Sequence, residues 1–267
     1  MTLAIARLKQ DLENKQVIKI IAGLSNFNVA NVIKTVKAAE IAGGTYVDVA
    51  SNPKLVKVLK SFTNLPICVS SIDTQELYNC LLAGADILEI GNFDAFYSKN
   101  IHFSISQIIN LAKEVKSFSK NKPLCITIPH ILSLSDQLYL VQQLQKLDIN
   151  MIQTEGYTNK ASIVPNISSY ILQATNFSSS TLSASYILSR YTNIPVIASS
   201  NINSVSAPIA LSYGASGIGI CSSLQNLKLI HQQVDYINQL KSSIFLYKTE
   251  MSTSHMQAFA KASLADL

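Results

Sequence analysis

Residues 195–223 read PVIASSNINSVSAPIALSYGASGIGICSS. An apolar run headed by Pro195 leads into a polar turn, a small-residue helical pattern, and a second apolar run carrying Gly217 and Gly219. This is how the last two strands of a (β/α)8 barrel look, and the loops after those strands often hold a phosphate. The stretch therefore marks where a ligand belongs. It says nothing yet of the reaction.

Working outward, seven spacings of the same kind separate eight β-rich runs. They are VIKIIAGL (17–24), TYVDVA (45–50), PICVSS (66–71), ILEIGN (87–92), LCITIPH (124–130), MIQTEGY (151–157), PVIASS (195–200) and GIGICSS (217–223). Turn signals such as Gly43-Gly44, Pro66, Gly84-Ala85 and Pro195 precede several of them. Amphipathic segments fill the intervals, for instance 29–42, 74–83, 104–119 and 135–147. Alternating strand and helix gives a parallel sheet, and eight repeats close it into a single α/β barrel, the TIM fold of aldolase type, over residues 1–267. An open doubly wound sheet is disfavoured, because strand 1 ends Gly23-Leu24-Ser25-Asn26 with no Gly-rich dinucleotide turn. Loop 6, about 158–166, is the long connection. The first residues, MTLAIARLKQDLENKQ, place Leu3, Leu8 and Leu12 on one stripe and predict a helix closing the barrel bottom.

Bulk properties exclude several classes. A chain of 267 residues with 48% hydrophobic content suits one barrel with a large core. Net charge is +5, yet Lys34, Lys37, Lys54, Lys57, Lys60, Lys113 and Lys116 fall singly at helical spacing, which reads as a solvated face and not a nucleic-acid patch. The cysteines at 68, 80, 125 and 221 form no CxxC pair, which points to a reducing compartment. Cys68, Cys125 and Cys221 fall inside expected strands as small apolar fillers. No membrane-spanning run, secretion signal or transit peptide is read, and no cofactor motif. HxH and HExxH spacings are absent, so no metal is expected.

Strand alternation sorts which polar residues look inward, since outward charge would lie under helices. The inward set is Lys19, Asp48, Ser70, Glu89, Thr127, Gln153, Glu155 and Ser200, with Gly219 and Cys221 on the inward parity of strand 8. Asn92 and His130 follow strand ends over the mouth. Lys19, Asp48, Glu89 and Glu155 are the candidate catalytic groups: the lysine as acid, electrophile or Schiff-base amine, the acids as proton carriers. Lys19 lies early in its strand, and a buried ion-pair layer is its equal alternative. Ser70, Asn92, Thr127, His130 and Gln153 are candidate substrate contacts.

The runs IKIIAGLSNF (18–27), DVAS (48–51), CVSS (68–71), EIGNFDAFY (89–97), IPH (128–130), QTEG (153–156) and GASGIGICSS (214–223) resemble the hypothetical chloroplast reading frame family, member twenty-three. The resemblance spans nearly the whole chain. It implies an aldolase-type TIM barrel in the plastid stroma, with no established activity. Strands 7 and 8 are also similar to phosphate-binding barrels such as ribulose-phosphate epimerase, where the strand-7 turn reads Ser/Ala-Gly-Gly. Here that turn is Ser199-Ser200-Asn201, and Cys221 stands where a second strand-8 glycine is common. Lost glycines narrow the backbone approach to an anion, while Ser and Asn side chains still donate. Ser200, Asn201, Gly219, Ser222 and Ser223 are thus the candidate phosphate ligands.

The expectation is an isomerase, epimerase or aldol-type lyase acting on a small phosphorylated carbonyl metabolite. The alternative is a barrel that binds such a metabolite without turning it over. Residues 161–227 carry a single charge, Arg190, which would suit packing in a homo-oligomer.

Overall fold

Runs rich in Val and Ile, each headed by a turn, can only be strands buried on both faces. The computed structural model, which describes residues 3–23, 26, 28–91, 93–156 and 170–265, bears this out. The strands are β1 (Val17–Ile21), β2 (Tyr46–Ala50), β3 (Ile67–Ser71), β4 (Ile87–Ile90), β5 (Leu124–Ile128), β6 (Met151–Thr154), β7 (Val196–Ser199) and β8 (Gly217–Ile220). All pair in parallel, in chain order, and β8 returns to β1 to close the barrel. Helices run between them: α1 (Leu3–Glu13), α2 (Val29–Ile41), α3 (Pro53–Lys60), α4 (Thr74–Leu82), α5 (Asp94–Tyr97), α6 (Ile105–Ser119), α7 (Leu134–Lys146), α8 (Tyr170–Tyr191), α9 (Ser206–Ser212), α10 (Ser222–Gln225) and α11 (Ile230–Ala265).

Local chemistry sets where the helices begin. Asn52 and Asp73 accept from backbone N–H groups opening α3 and α4, and Pro53 starts α3 where its missing N–H is harmless. Ser104 and Gln107 form a reciprocal capping box on α6.

Two cores result. The larger lies between sheet and helices. The smaller fills the barrel bottom with Val17, Tyr46, Cys68, Ile87, Cys125, Met151 and Ile197, and Leu8 of α1 joins it from below. The expected N-terminal helix thus closes the lower end.

Strand starts agree with the sequence reading within one residue; β2 and β3 also end where expected, at Ala50 and Ser71, whereas β5, β7 and β8 end two, one and three residues short. Past the ends of β7 and β8 the chain turns at once: Ser200 takes a left-handed backbone after β7, and Ser222 and Ser223 already belong to α10. Cys221 accordingly lies just beyond β8, half-buried. Ser200 is a correction of face. Alternation in β7 turns Ile197 and Ser199 inward, since Ile197 joins the bottom layer and a side chain at Gly219 would meet the Ser199 Oγ at 2.8 Å. Asn92 and loop 6 lie outside the described residues.

Candidate functional site

Above the apolar bottom layer, the inward positions of β1–β6 carry polar groups in one connected layer. Lys19, Asp48 and Glu89 are each 0% exposed. The Lys19 Nζ donates to Glu89 Oε2 at 2.6 Å and to Gln153 Oε1 at 2.7 Å, and it forms an ion pair with Asp48 Oδ2 at 2.7 Å without a hydrogen bond. Ser70 donates to the other Asp48 oxygen at 2.8 Å. Thr127 Oγ1 and Gln153 Nε2 both donate to Glu89 Oε1 at 3.0 Å.

Burial alone would lower the lysine pKa, but Asp48 and Glu89 outweigh it and hold the group well above its ordinary value. Burial raises the Glu89 carboxyl, against the pull of Lys19. Lys19 is therefore a fixed ammonium. It has no free lone pair to act as base or Schiff-base amine. Asp48, Cys68 and Glu89 also bring three ligand-type atoms within 4.8 Å of one another. The ammonium beside both carboxylates already supplies the cation such a trio would attract. Burial keeps the Cys68 and Cys125 thiols protonated.

Above this layer opens a cavity of about 400 Å³ at the strand C-terminal ends. Thr127, Gln153, Glu155, Ser200, Asn201, Gly219, Ser222 and Ser223 all line it, so the structure brings together the expected phosphate ligands, Glu155 and two substrate contacts. Lys19, Asp48, Glu89 and Ser70 lie outside its lining, with Thr127 and Gln153 linking the two storeys. A larger cavity of about 750 Å³ sits at the opposite end, beside α1. It is remote from the strand ends that carry chemistry in this fold.

Glu155, one residue past β6, keeps the inward parity of Met151 and Gln153. Three donors converge on its Oε2: the Tyr97 hydroxyl at 2.5 Å, the His130 backbone N–H at 3.0 Å and His130 Nδ1 at 2.8 Å. Oε1 takes no hydrogen bond from the described residues. The Tyr97 ring meets His130 edge-on, with centroids 5.1 Å apart. Burial, then the bond to Glu155, pushes the Tyr97 hydroxyl well above its usual range, so it stays a donor. Asp94, at the exposed rim of the same cavity, is raised first by desolvation and next by the charge of Glu155.

Sequence reading missed Tyr97, Asp94 and Ser199. The first two stand in EIGNFDAFY, a motif noticed for resemblance alone; as loop residues after β4 they have no strand parity to expose them. The strand-7 turn also departs from expectation. Ser200 and Asn201 adopt φ of 85° and 56°, the left-handed backbone that glycine favours. The glycines are gone from the turn, but their backbone shape remains.

Comparison with known proteins completes the description. The family model "Protein of unknown function (DUF561)" matches residues 4–250. The "Uncharacterized protein ycf23" of Antithamnion sp. is 44% identical, covering 99% of this chain and 98% of its relative. That of Pyropia yezoensis is 38% identical over 91% and 88%. Among solved structures, orotidine 5'-phosphate decarboxylase from Pyrococcus horikoshii superposes with a TM-score of 0.59 at 12% identity, covering 85% of this chain and 99% of that one. Thiamine phosphate pyrophosphorylase from Pyrococcus furiosus gives 0.56 at 15% identity over 88% and 98%. These two show the fold alone. No helix among the described residues is long and apolar enough to cross a membrane. The sequence relatives show more: this chain belongs to the DUF561 family, together with the algal ycf23 proteins.

Proposed function

We propose that the mouth of the barrel catalyses proton transfer at a carbon next to a carbonyl, in a small phosphorylated metabolite, as an isomerase or epimerase does. The observation that carries this is Glu155. A carboxylate with one oxygen held by three donors and the other left for a ligand is oriented to take a proton. Asp94 supplies the second half of the pair, since desolvation first, and then the charge of Glu155, raises its carboxyl and favours the protonated form that can donate. Tyr97 and His130 are positioning residues that fix the carboxylate.

Ser199, Ser200, Asn201, Gly219, Ser222 and Ser223 form the cradle for the phosphate. Support comes from the left-handed turn and from the bare backbone at Gly219. Helix α10 is only four residues long, so neutral hydroxyl and amide donors, and not a helix dipole, would meet the charge. An aldol cleavage would have to run through the same base, because Lys19 is not available as an amine. Lys19, Asp48 and Glu89 then serve as the ionic floor that orients Gln153 and Thr127. The resemblance and the ycf names of the relatives support the plastid stroma as the setting.

The test is solvent deuterium uptake by a panel of sugar phosphates in the presence of the protein. Uptake that disappears in Glu155→Gln, and falls about tenfold in Tyr97→Phe for loss of one charge-assisted bond, is the expected result. A compound that binds in the mouth without exchanging any carbon-bound proton would favour the binding-only alternative instead.

A further inference from the structure

A second hollow adjoins the proposed site. Its volume is about 420 Å³, and it shares Gly23 and Gln225 with the mouth cavity. Gln225 Nε2 lies against Gly23, where an added Cβ would collide with it. Among the described residues the two lobes differ in charge: the mouth is lined by Asp94 and Glu155 and by no lysine or arginine, whereas the adjoining lobe holds Lys34 and Lys228 and no acid.

Two features of this lobe ask for a ligand. Lys34 Nζ spends one proton on the Lys228 carbonyl at 2.9 Å and has two more to give. Gln233 is 1% exposed, and its Nε2 donates to the carbonyls of Leu224 at 3.1 Å and Leu227 at 2.9 Å. Those two bonds fix which end of the amide is nitrogen. Its Oε1 is left as a buried acceptor with no partner. Leaving such an atom unsatisfied is costly, so a native site that keeps one calls for an explanation. The lobe therefore offers positive charge together with an acceptor that wants an O–H.

We infer that this lobe is an oxyanion site for a phosphate group that carries, or lies beside, a hydroxyl. The lysines meet the charge and Gln233 Oε1 accepts the hydroxyl proton. The chemistry is shared by free hydrogen phosphate and by a second phosphate, at the far end of a ligand whose carbonyl and first phosphate sit in the mouth. Only that second source rests on the function proposed above.

The experiment is calorimetric titration of the full chain with inorganic phosphate and with sulfate, at matched ionic strength so that screening is constant. At a pH well above the phosphate second pKa of about 6, the phosphate dianion retains one O–H and sulfate has none. Phosphate should bind about tenfold more tightly than sulfate, the worth of one good hydrogen bond to a buried group. Gln233→Met should erase that preference. Lys34→Gln with Lys228→Gln should weaken both anions about tenfold or more. Gly219→Val, which crowds the mouth cradle, should leave the preference untouched, so a failed mouth site and a failed lobe give different results. Equal binding of the two anions overturns the inference, as does a preference that survives Gln233→Met, or no binding at millimolar concentration. Should Gln233→Met not fold, the lysine pair decides: unchanged phosphate affinity there also overturns it. Glycerol 3-phosphate separates the sources, since a gain over inorganic phosphate assigns the lobe to the end of a larger ligand.

Discussion

Replacing Lys19 by Met removes the only cation in a layer holding two carboxylates, all three side chains 0% exposed. The wild-type ammonium meets three oxygens at 2.6–2.7 Å. Methionine matches its volume and removes every one of those contacts. Breaking one side of a buried ion pair costs about 3–5 kcal/mol, because the partner charge is left unpaired. Two acids are orphaned here, and Thr127, Ser70 and Gln153 still donate to them. Those donors soften the loss, so the middle of that range, about 4 kcal/mol, is expected near pH 7. With a urea slope of about 2–3 kcal/mol per molar, the unfolding midpoint drops by about 1.5 M. The deficit should shrink on acidification. Burial already raises the Glu89 carboxyl against the pull of Lys19, and without the ammonium that opposition is gone, so the folded variant binds a proton that the unfolded chain does not, and its stability grows as pH falls. The triple variant Lys19→Met, Asp48→Asn, Glu89→Gln should recover most of the loss, since no buried charge then lacks a partner. Urea denaturation followed by circular dichroism at pH 7 and pH 5 measures all three chains. A Lys19→Met protein within about 1 kcal/mol of wild type at pH 7 would refute the ionised layer. One that keeps its stability while losing all activity would return Lys19 to the chemistry.

Two smaller perturbations test the mouth. Asp94→Asn removes a carboxyl whose folded pKa is raised, so wild type loses stability as pH climbs through that value and the variant does not. The variant should gain on wild type at neutral pH, and the gain should vanish below about pH 4, the unfolded carboxyl range; thermal melts across that span decide it, and a pH-independent difference would show the Asp94 shift to be immaterial. Ser200→Gly relieves a φ of 85°. Relief of about 1–2 kcal/mol exceeds the entropic cost of about 0.5–1 kcal/mol for a new glycine, so a net gain of about 0.5–1 kcal/mol in chemical denaturation is expected, and a net loss would mean the Ser200 side chain stabilises the turn.

The sequence by itself determined the barrel. Eight apolar runs with turn signals at their heads leave one way to bury both faces of every strand, and the closed sheet in chain order follows. Parity also carried Lys19, Asp48, Ser70, Glu89, Thr127 and Gln153 to the interior, because the alternative places charge beneath helices. What parity cannot supply is depth. Lys19 and Glu155 both face inward, yet one is sealed beneath the cavity and the other lines it. The difference comes from barrel stagger, which sets how far each inward residue stands above the bottom layer. Nor does parity reach beyond the last ladder bond: β7 ends at Ser199, one residue short of the expected limit, and the left-handed turn that follows places Ser200. Tyr97, on the single-turn helix after β4, meets Glu155 only because the mouth gathers loops from different strands. The pairing of Tyr97 with Glu155, 58 residues apart, is a tertiary fact. So is the orphaned Gln233 Oε1, buried when the chain from Leu224 to Leu227 turns its carbonyls onto the amide nitrogen. Burial patterns are local and periodic, and a sequence displays them. Which side chains share a cavity depends on contacts between distant loops, and only the closed barrel decides those.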